Sequence, residues 1–161
     1  MFELLHSLSV NAAAGRASGK AYVPADHPLF ADHFPAHATL PGTLALELAA
    51  QVAGPLAEEV APLRHGCERY AVLGMIRNAK FLHPATLPAQ LEIEAEVRRS
   101  DPSQVTVAVS VRAGETEVLR GELLLAMLEA TPEWSAALEL RERRVARWKQ
   151  MSEARPELEP R

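Results

Sequence analysis

The stretch that most limits how this chain can fold is GTLALELAAQVAG, residues 42–54. Its Leu and Ala content favours helix, and Pro41 precedes it where a first-turn residue loses nothing by lacking its N–H. Between Gly42 and Ala53 the only polar side chains are Thr43, Glu47 and Gln51. Spaced by four, they fall on one face, so the segment is an apolar rod with a single thin polar stripe. Such a rod has to be surrounded by other parts of the chain. The segment continues as GPLAEEV, with Gly54-Pro55 expected to kink or end its central part.

The remaining sequence supplies the wrapping. Residues 2–10 and 17–23 read as two strands joined by a turn over residues 11–15, and residues 70–81, 91–98, 104–112 and 117–128 read as four more. Leu91, Ile93, Ala95 and Val97 alternate with charged residues, and Val105, Val107, Val109 and Val111 alternate with polar or small ones. That period of two marks strands buried on one side only. Turn residues separate them at 100–103 and 113–115. The expected order is two strands, one long buried helix, then an antiparallel meander. A sheet wrapped around one central helix satisfies both the all-round apolarity of the helix and the one-sided strands, which defines an α+β domain. Residues 131–154 open with Thr131-Pro132-Glu133 and place Trp134, Leu138, Val145 and Trp148 among many charges, the pattern of a peripheral amphipathic helix packed on the domain or on a partner subunit. The expected division is a domain over residues 1–130 and a helical extension with a frayed tail over 131–161.

Length and charge narrow the function classes. A chain of 161 residues fits one domain with a real core. A net charge of -4 provides no general attraction for nucleic acid or anionic membrane, and neither is an expected partner. Cys67 is the only cysteine, which excludes an internal disulfide and a thiolate metal cluster and fits a reducing cytoplasm; an idle thiol is its simplest reading. The N-terminal sequence lacks a basic segment followed by a sustained apolar one, so a soluble, unprocessed, cytoplasmic protein is expected.

Between the second strand and the helix lies PADHPLFADHFPAHATLP, residues 24–41, whose four prolines impose an ordered but irregular loop. It holds His27, His33 and His37, three of the six histidines. Their spacing is irregular for metal ligands and no cysteine helps, so no metal is expected. A loop histidine by itself is ordinarily structural or solvated.

The spacing around these residues is more specific. The segment DHPLFADHFPAHATLPGTLALELAAQVAG resembles the signature of the 3-hydroxyacyl-acyl-carrier-protein dehydratases, in which a His-Phe-Pro loop leads through Pro-Gly into a central helix bearing an acid. Here His33-Phe34-Pro35 is followed by Pro41-Gly42, and Glu47 stands fourteen positions after His33. Weaker likeness runs from Phe2 to Leu128 and includes NAKFLHPATLPAQLEIEAEV; the part from Thr131 onward is an addition. The resemblance implies a hot-dog fold, dehydration of a (3R)-hydroxyacyl thioester on an acyl carrier protein, no dissociable cofactor, and a homodimer or assembly of dimers. In that family each site takes its histidine from one subunit and its acid from the other.

The chemistry of the residues agrees. Removing water from a 3-hydroxyacyl thioester needs a base for the C2 proton, an acid for the departing hydroxyl and donors for charge on the thioester oxygen. His33 suits the first role, since an unperturbed imidazole titrates at about 6.5. Glu47, flanked in sequence by Leu44, Leu46, Leu48 and Ala50, is expected to be partly desolvated, which favours its protonated form and the second role. Gly42 and Thr43 lie in the first helical turn, where backbone N–H groups lack intrahelical partners; the resemblance implies the oxygen-binding role for Gly42. His37 and Gln51 are supporting candidates.

Ala36 and Asp32 stand where the family commonly has glycine, and Ala89-Gln90 replace Gly-Asp in the later turn. This pattern points to a divergent branch serving polyketide, polyene or unusual lipid assembly more readily than housekeeping fatty-acid synthesis. Two competing readings follow: a thioesterase or enoyl-CoA hydratase on a coenzyme A ester, and a catalytically silent subunit that binds an acyl carrier. Fold alone does not separate them.

Overall fold

The structure, a computed structural model, describes residues 4–26, 30 and 37–153. Strands β1 (Leu5–Asn11) and β2 (Arg16–Val23) precede helix α1 (Gly42–His65), and β3 (Tyr70–Phe81), β4 (Ala89–Asp101), β5 (Gln104–Ala113) and β6 (Thr116–Leu128) follow it. A short 3-10 turn at Pro132–Trp134 leads into helix α2 (Ser135–Glu153). The strands form one six-stranded antiparallel sheet in the order β1-β2-β4-β5-β6-β3.

That order corrects the expected meander. Only β4, β5 and β6 follow one another, whereas β3 crosses to the far edge and pairs with β6, Tyr70 opposite Leu128 and Phe81 opposite Leu119. The segment between β3 and β4 is held on its way across by Leu82 N–H donating to the Val118 carbonyl at 2.9 Å, and β4 is placed beside β2.

The alternation in β4 and β5 is realised as expected. Leu91, Ile93 and Ala95 of β4 and Val105, Val107, Val109 and Val111 of β5 are buried, facing α1. From α1, Leu44, Leu48, Val52, Leu56 and Val60 are buried against them. Burying each such side chain contributes about 1.5–3 kcal/mol.

Helix α1 also departs from expectation. Pro55 and Pro62 lie inside it and it runs on to His65, so Gly54-Pro55 does not end it. An internal proline costs about 3 kcal/mol. Here the turns beyond Pro55 bury Leu56, Ala57, Val60 and Ala61 completely, and that apolar burial outweighs the lost N–H. Gly66 ends the helix in the left-handed conformation, at φ 67°, its N–H donating to the Pro62 carbonyl at 3.0 Å.

Helix α2 packs on the domain itself, along β1, and buries Leu138 and Trp148. Ion pairs from Arg141 to Glu58 and from Lys149 to Glu59 fasten it to α1, and the Tyr70 hydroxyl donates to Glu142 at 3.0 Å. Trp134, part of the expected apolar face, is exposed. Among the described residues no helix is long and apolar enough to cross a membrane.

Candidate active site

Of the residues singled out by sequence, His33 lies outside the described residues, as do His27, Asp32 and Ala36. The chain becomes described again at His37, which is exposed and whose carbonyl accepts a hydrogen bond from Thr39 Oγ1 at 2.9 Å. From there the approach to α1 is pinned to the segment before β4. Leu40 N–H donates to the Ala85 carbonyl and Leu87 N–H to the Ala38 carbonyl, both at 2.8 Å.

Gly42 is the first residue of α1. The Pro41 carbonyl accepts from Leu44 and Ala45 N–H, and among the described residues no side chain caps the turn. The helix therefore begins with the N–H groups of Gly42 and Thr43 outside its own ladder, at the positive end of its dipole. A side chain here would have to displace Phe81, because a Cβ on Gly42 would stand 2.7 Å from two carbons of its ring. The motif around Gly42 gives no hint of Phe81. In sequence Phe81 is an ordinary strand residue, and only the pairing of β3 with β6 brings it over the helix start.

Thr43, Glu47 and Gln51 form the stripe as expected, but Glu47 is exposed, which corrects the expectation of partial desolvation. The leucines beside it in sequence point elsewhere around the helix: Leu44 and Leu48 are buried in the core while Glu47 faces outward. Gln51, one turn further, donates its side-chain amide to Glu47 Oε1 at 2.9 Å. The Gln51 side-chain oxygen Oε1 is buried and accepts no hydrogen bond from the described residues.

Glu47 and Gln51 open onto a groove of about 720 Å³. Its other walls are Gly54 and Pro55 of α1, Ala71 to Leu73 of β3, Leu125 of β6, and Arg141, Arg144, Val145 and Trp148 of α2. At the α2 end, Glu58 accepts hydrogen bonds from Ala71 N–H at 2.8 Å and from Arg141. Burial raises the Glu58 carboxyl above its ordinary pKa; the Arg141 charge and the bond from Ala71 oppose the shift without cancelling it.

A second depression, of about 770 Å³, lies on the sheet face turned away from α1. Most of its charges stand in ion pairs, Arg16 and Arg98 with Glu96 and Arg120 with Glu117. It shares no residue with the stripe on α1, so the groove at Glu47 is the better candidate for chemistry. Among the described residues no three potential metal ligands cluster.

A six-stranded antiparallel sheet folded around one helix is the hot-dog fold. The smu.793 protein of Streptococcus mutans, solved bound to acetyl-CoA, superposes with a TM-score of 0.62 at 18% identity, over 79% of this chain and 90% of that one. The PA5202 protein of Pseudomonas aeruginosa gives 0.59 at 17% identity, over 77% and 88%. These likenesses are of fold. At the level of sequence, residues 9–121 match the ApeI-like family, described as ApeI dehydratase, and the chain belongs to that family. It is 27% identical to the 3-hydroxyacyl-[acyl-carrier-protein] dehydratase FabZ of Clostridioides difficile over 80% of this chain and 88% of the relative. It is 32% identical to the FabZ of Bartonella bacilliformis over 64% and 69%. With the FabZ of Geotalea uraniireducens it is 38% identical, across half of this chain and 55% of the relative's length. Helix α2 lies outside the span that matches the family.

Proposed function

We propose that this protein removes water from a (3R)-hydroxyacyl thioester on an acyl carrier protein, giving the trans-2-enoyl thioester, in fatty-acid, polyketide or polyene-type synthesis. The observation that carries the reading is Glu47, held by Gln51 on the polar stripe of the central helix, at the mouth of a groove in a chain of the dehydratase family. In the proposed reaction His33 takes the C2 proton and the electron pair moves onto the thioester oxygen. As that pair returns to form the C2–C3 double bond, the C3–O bond breaks and Glu47 delivers a proton, so that the hydroxyl leaves as water. The N–H groups at the start of α1, Gly42 foremost, steady the charge on the thioester oxygen.

We further propose a homodimer in which His33 of one subunit serves Glu47 of the other. What supports it is β3, an edge strand whose Val72, Leu73, Met75 and Ile76 are exposed, an arrangement that stays monomeric only when its edge is protected.

Incubation with 3-hydroxyacyl carrier proteins, read by mass, tests the reaction. Loss of one water is expected. Release of the free acid would make the protein a thioesterase, and an unchanged carrier would make it a silent binding subunit.

A further inference from the structure

Helix α2 is outside the part of the chain that matches the dehydratase family, yet it forms a wall of the groove that starts at Glu47. Along α1 the groove runs from Glu47 to Pro55, about 12 Å at about 1.5 Å per residue. One turn further, Arg141 of α2 reaches Glu58 and closes that direction with a partly buried ion pair. Beside it Val145 and Trp148 of α2 face the groove, and Trp148 is 6% exposed, locked into the core.

Two details show that this closure is built into α1. Gly54 stands in the helix interior, where glycine weakens a helix relative to alanine. A Cβ there would meet Arg141 Nη2 at 2.9 Å, so the missing side chain is the space the guanidinium occupies. Glu58 also binds the start of β3 through Ala71 N–H, so one carboxylate ties α1, β3 and α2 together at the point where the groove ends. Between that end and Glu47 the walls are largely apolar: Ala50, Pro55, Val72, Leu73, Leu125 and Val145. A hydrocarbon fits such walls, and a polar chain does not.

We infer that α2 is the length gauge of this protein: the acyl chain of the thioester lies in the groove between α1 and β3, and Arg141, Val145 and Trp148 stop it. The inference rests on the reading of the Glu47 groove as the thioester site. It limits the substrate to short and medium acyl chains, a limit imposed by a helix outside the span that matches the family.

Binding of S-butyl, S-octyl and S-dodecyl pantetheine, thioethers that cannot react, tests the gauge by calorimetry on the full chain. Wild type should bind the octyl probe more tightly than the butyl one and gain nothing from dodecyl. Val145→Ala should improve dodecyl relative to octyl by about fourfold for each methylene newly admitted. Val145→Trp should weaken octyl relative to butyl by about tenfold. Thermal unfolding checks that both variants fold, and Val145→Ile, a smaller enlargement with the same expected direction, replaces Val145→Trp if that one does not. Identical octyl-to-butyl and dodecyl-to-octyl ratios in wild type and folded variants would overturn the gauge, as would failure of wild type to bind any of the probes. A protein that sorts the thioethers by length yet releases free acid from 3-hydroxyacyl carrier proteins would keep the gauge and lose the dehydratase reading.

Discussion

Gln51 donates its side-chain amide to Glu47 across 2.9 Å, one turn along the face of α1 that the core leaves uncovered. The bond orients the carboxyl, which makes Gln51 a positioning residue in the proposed reaction. Gln51→Ala should lower kcat by about fivefold, the typical weight of one hydrogen bond, while KM stays within about twofold. Steady-state kinetics on one carrier-protein substrate checks it. A change confined to KM would mean that Gln51 binds substrate instead.

Gly42 and Phe81 are coupled by packing, since a Cβ at Gly42 would stand 2.7 Å from the ring. Gly42→Ala should destabilise the fold by about 1 kcal/mol through overpacking, and Phe81→Ala introduced with it should recover most of that loss. Urea unfolding of wild type, both single variants and the double variant measures the coupling. Simple additivity would show that the ring swings away at no cost.

Much of the architecture is legible in the residues themselves, and what is not has physical reasons. One-sided burial writes itself into β4 and β5 as a period of two, and burial on nearly every side writes itself into the first half of α1 as an apolar run broken only by one thin stripe. The place of β3 at the sheet edge is not legible, because it depends on a crossing that leaves no local periodicity. Pro55 misleads because the local rule for proline gives way where tertiary burial decides. Glu47 misleads for a related reason: its sequence neighbours are not its surroundings, since residues one apart on a helix point about 100° apart. The stripe itself, and its link from Glu47 to Gln51, is legible from spacing. Phe81 and Arg141 reach the site from distant segments and carry no signal in the motif around it. His33 lies outside the described residues, so its role rests on the resemblance and on experiment.

Glu58 gives a pH dependence of defined sign. Its folded carboxyl holds a proton above its ordinary pKa, so as pH rises the unfolded chain loses that proton first, from about 4.3 upward. Through the window between the unfolded and folded pKa the folded state binds more protons, and the contribution of this group to stability falls as pH rises. Glu58→Gln keeps an acceptor for Ala71 N–H and has no proton to lose. Its stability relative to wild type should therefore climb as pH rises from about 4.3 until the folded carboxyl has ionised, seen as diverging urea midpoints. A constant difference across that range would contradict the account.

The exposed edge of β3 predicts assembly. Sedimentation near neutral pH should find an even-numbered oligomer, and Met75→Arg, which places a charge on that edge strand, should shift it toward monomer and remove activity with it. A fully active monomer would refute a shared site.

The pair His33 and Glu47 is the centre of the account, and subunit mixing tests it most directly. His33→Ala and Glu47→Gln, each alone, should lower the rate of water loss from a 3-hydroxyacyl carrier protein by about two to four orders of magnitude. Mixed under conditions of subunit exchange, the two inactive proteins should regain activity, because each heterodimer then holds one site with both groups intact and one with neither. Undiminished turnover in either single variant, or a mixture that stays silent after exchange has been demonstrated, would contradict it.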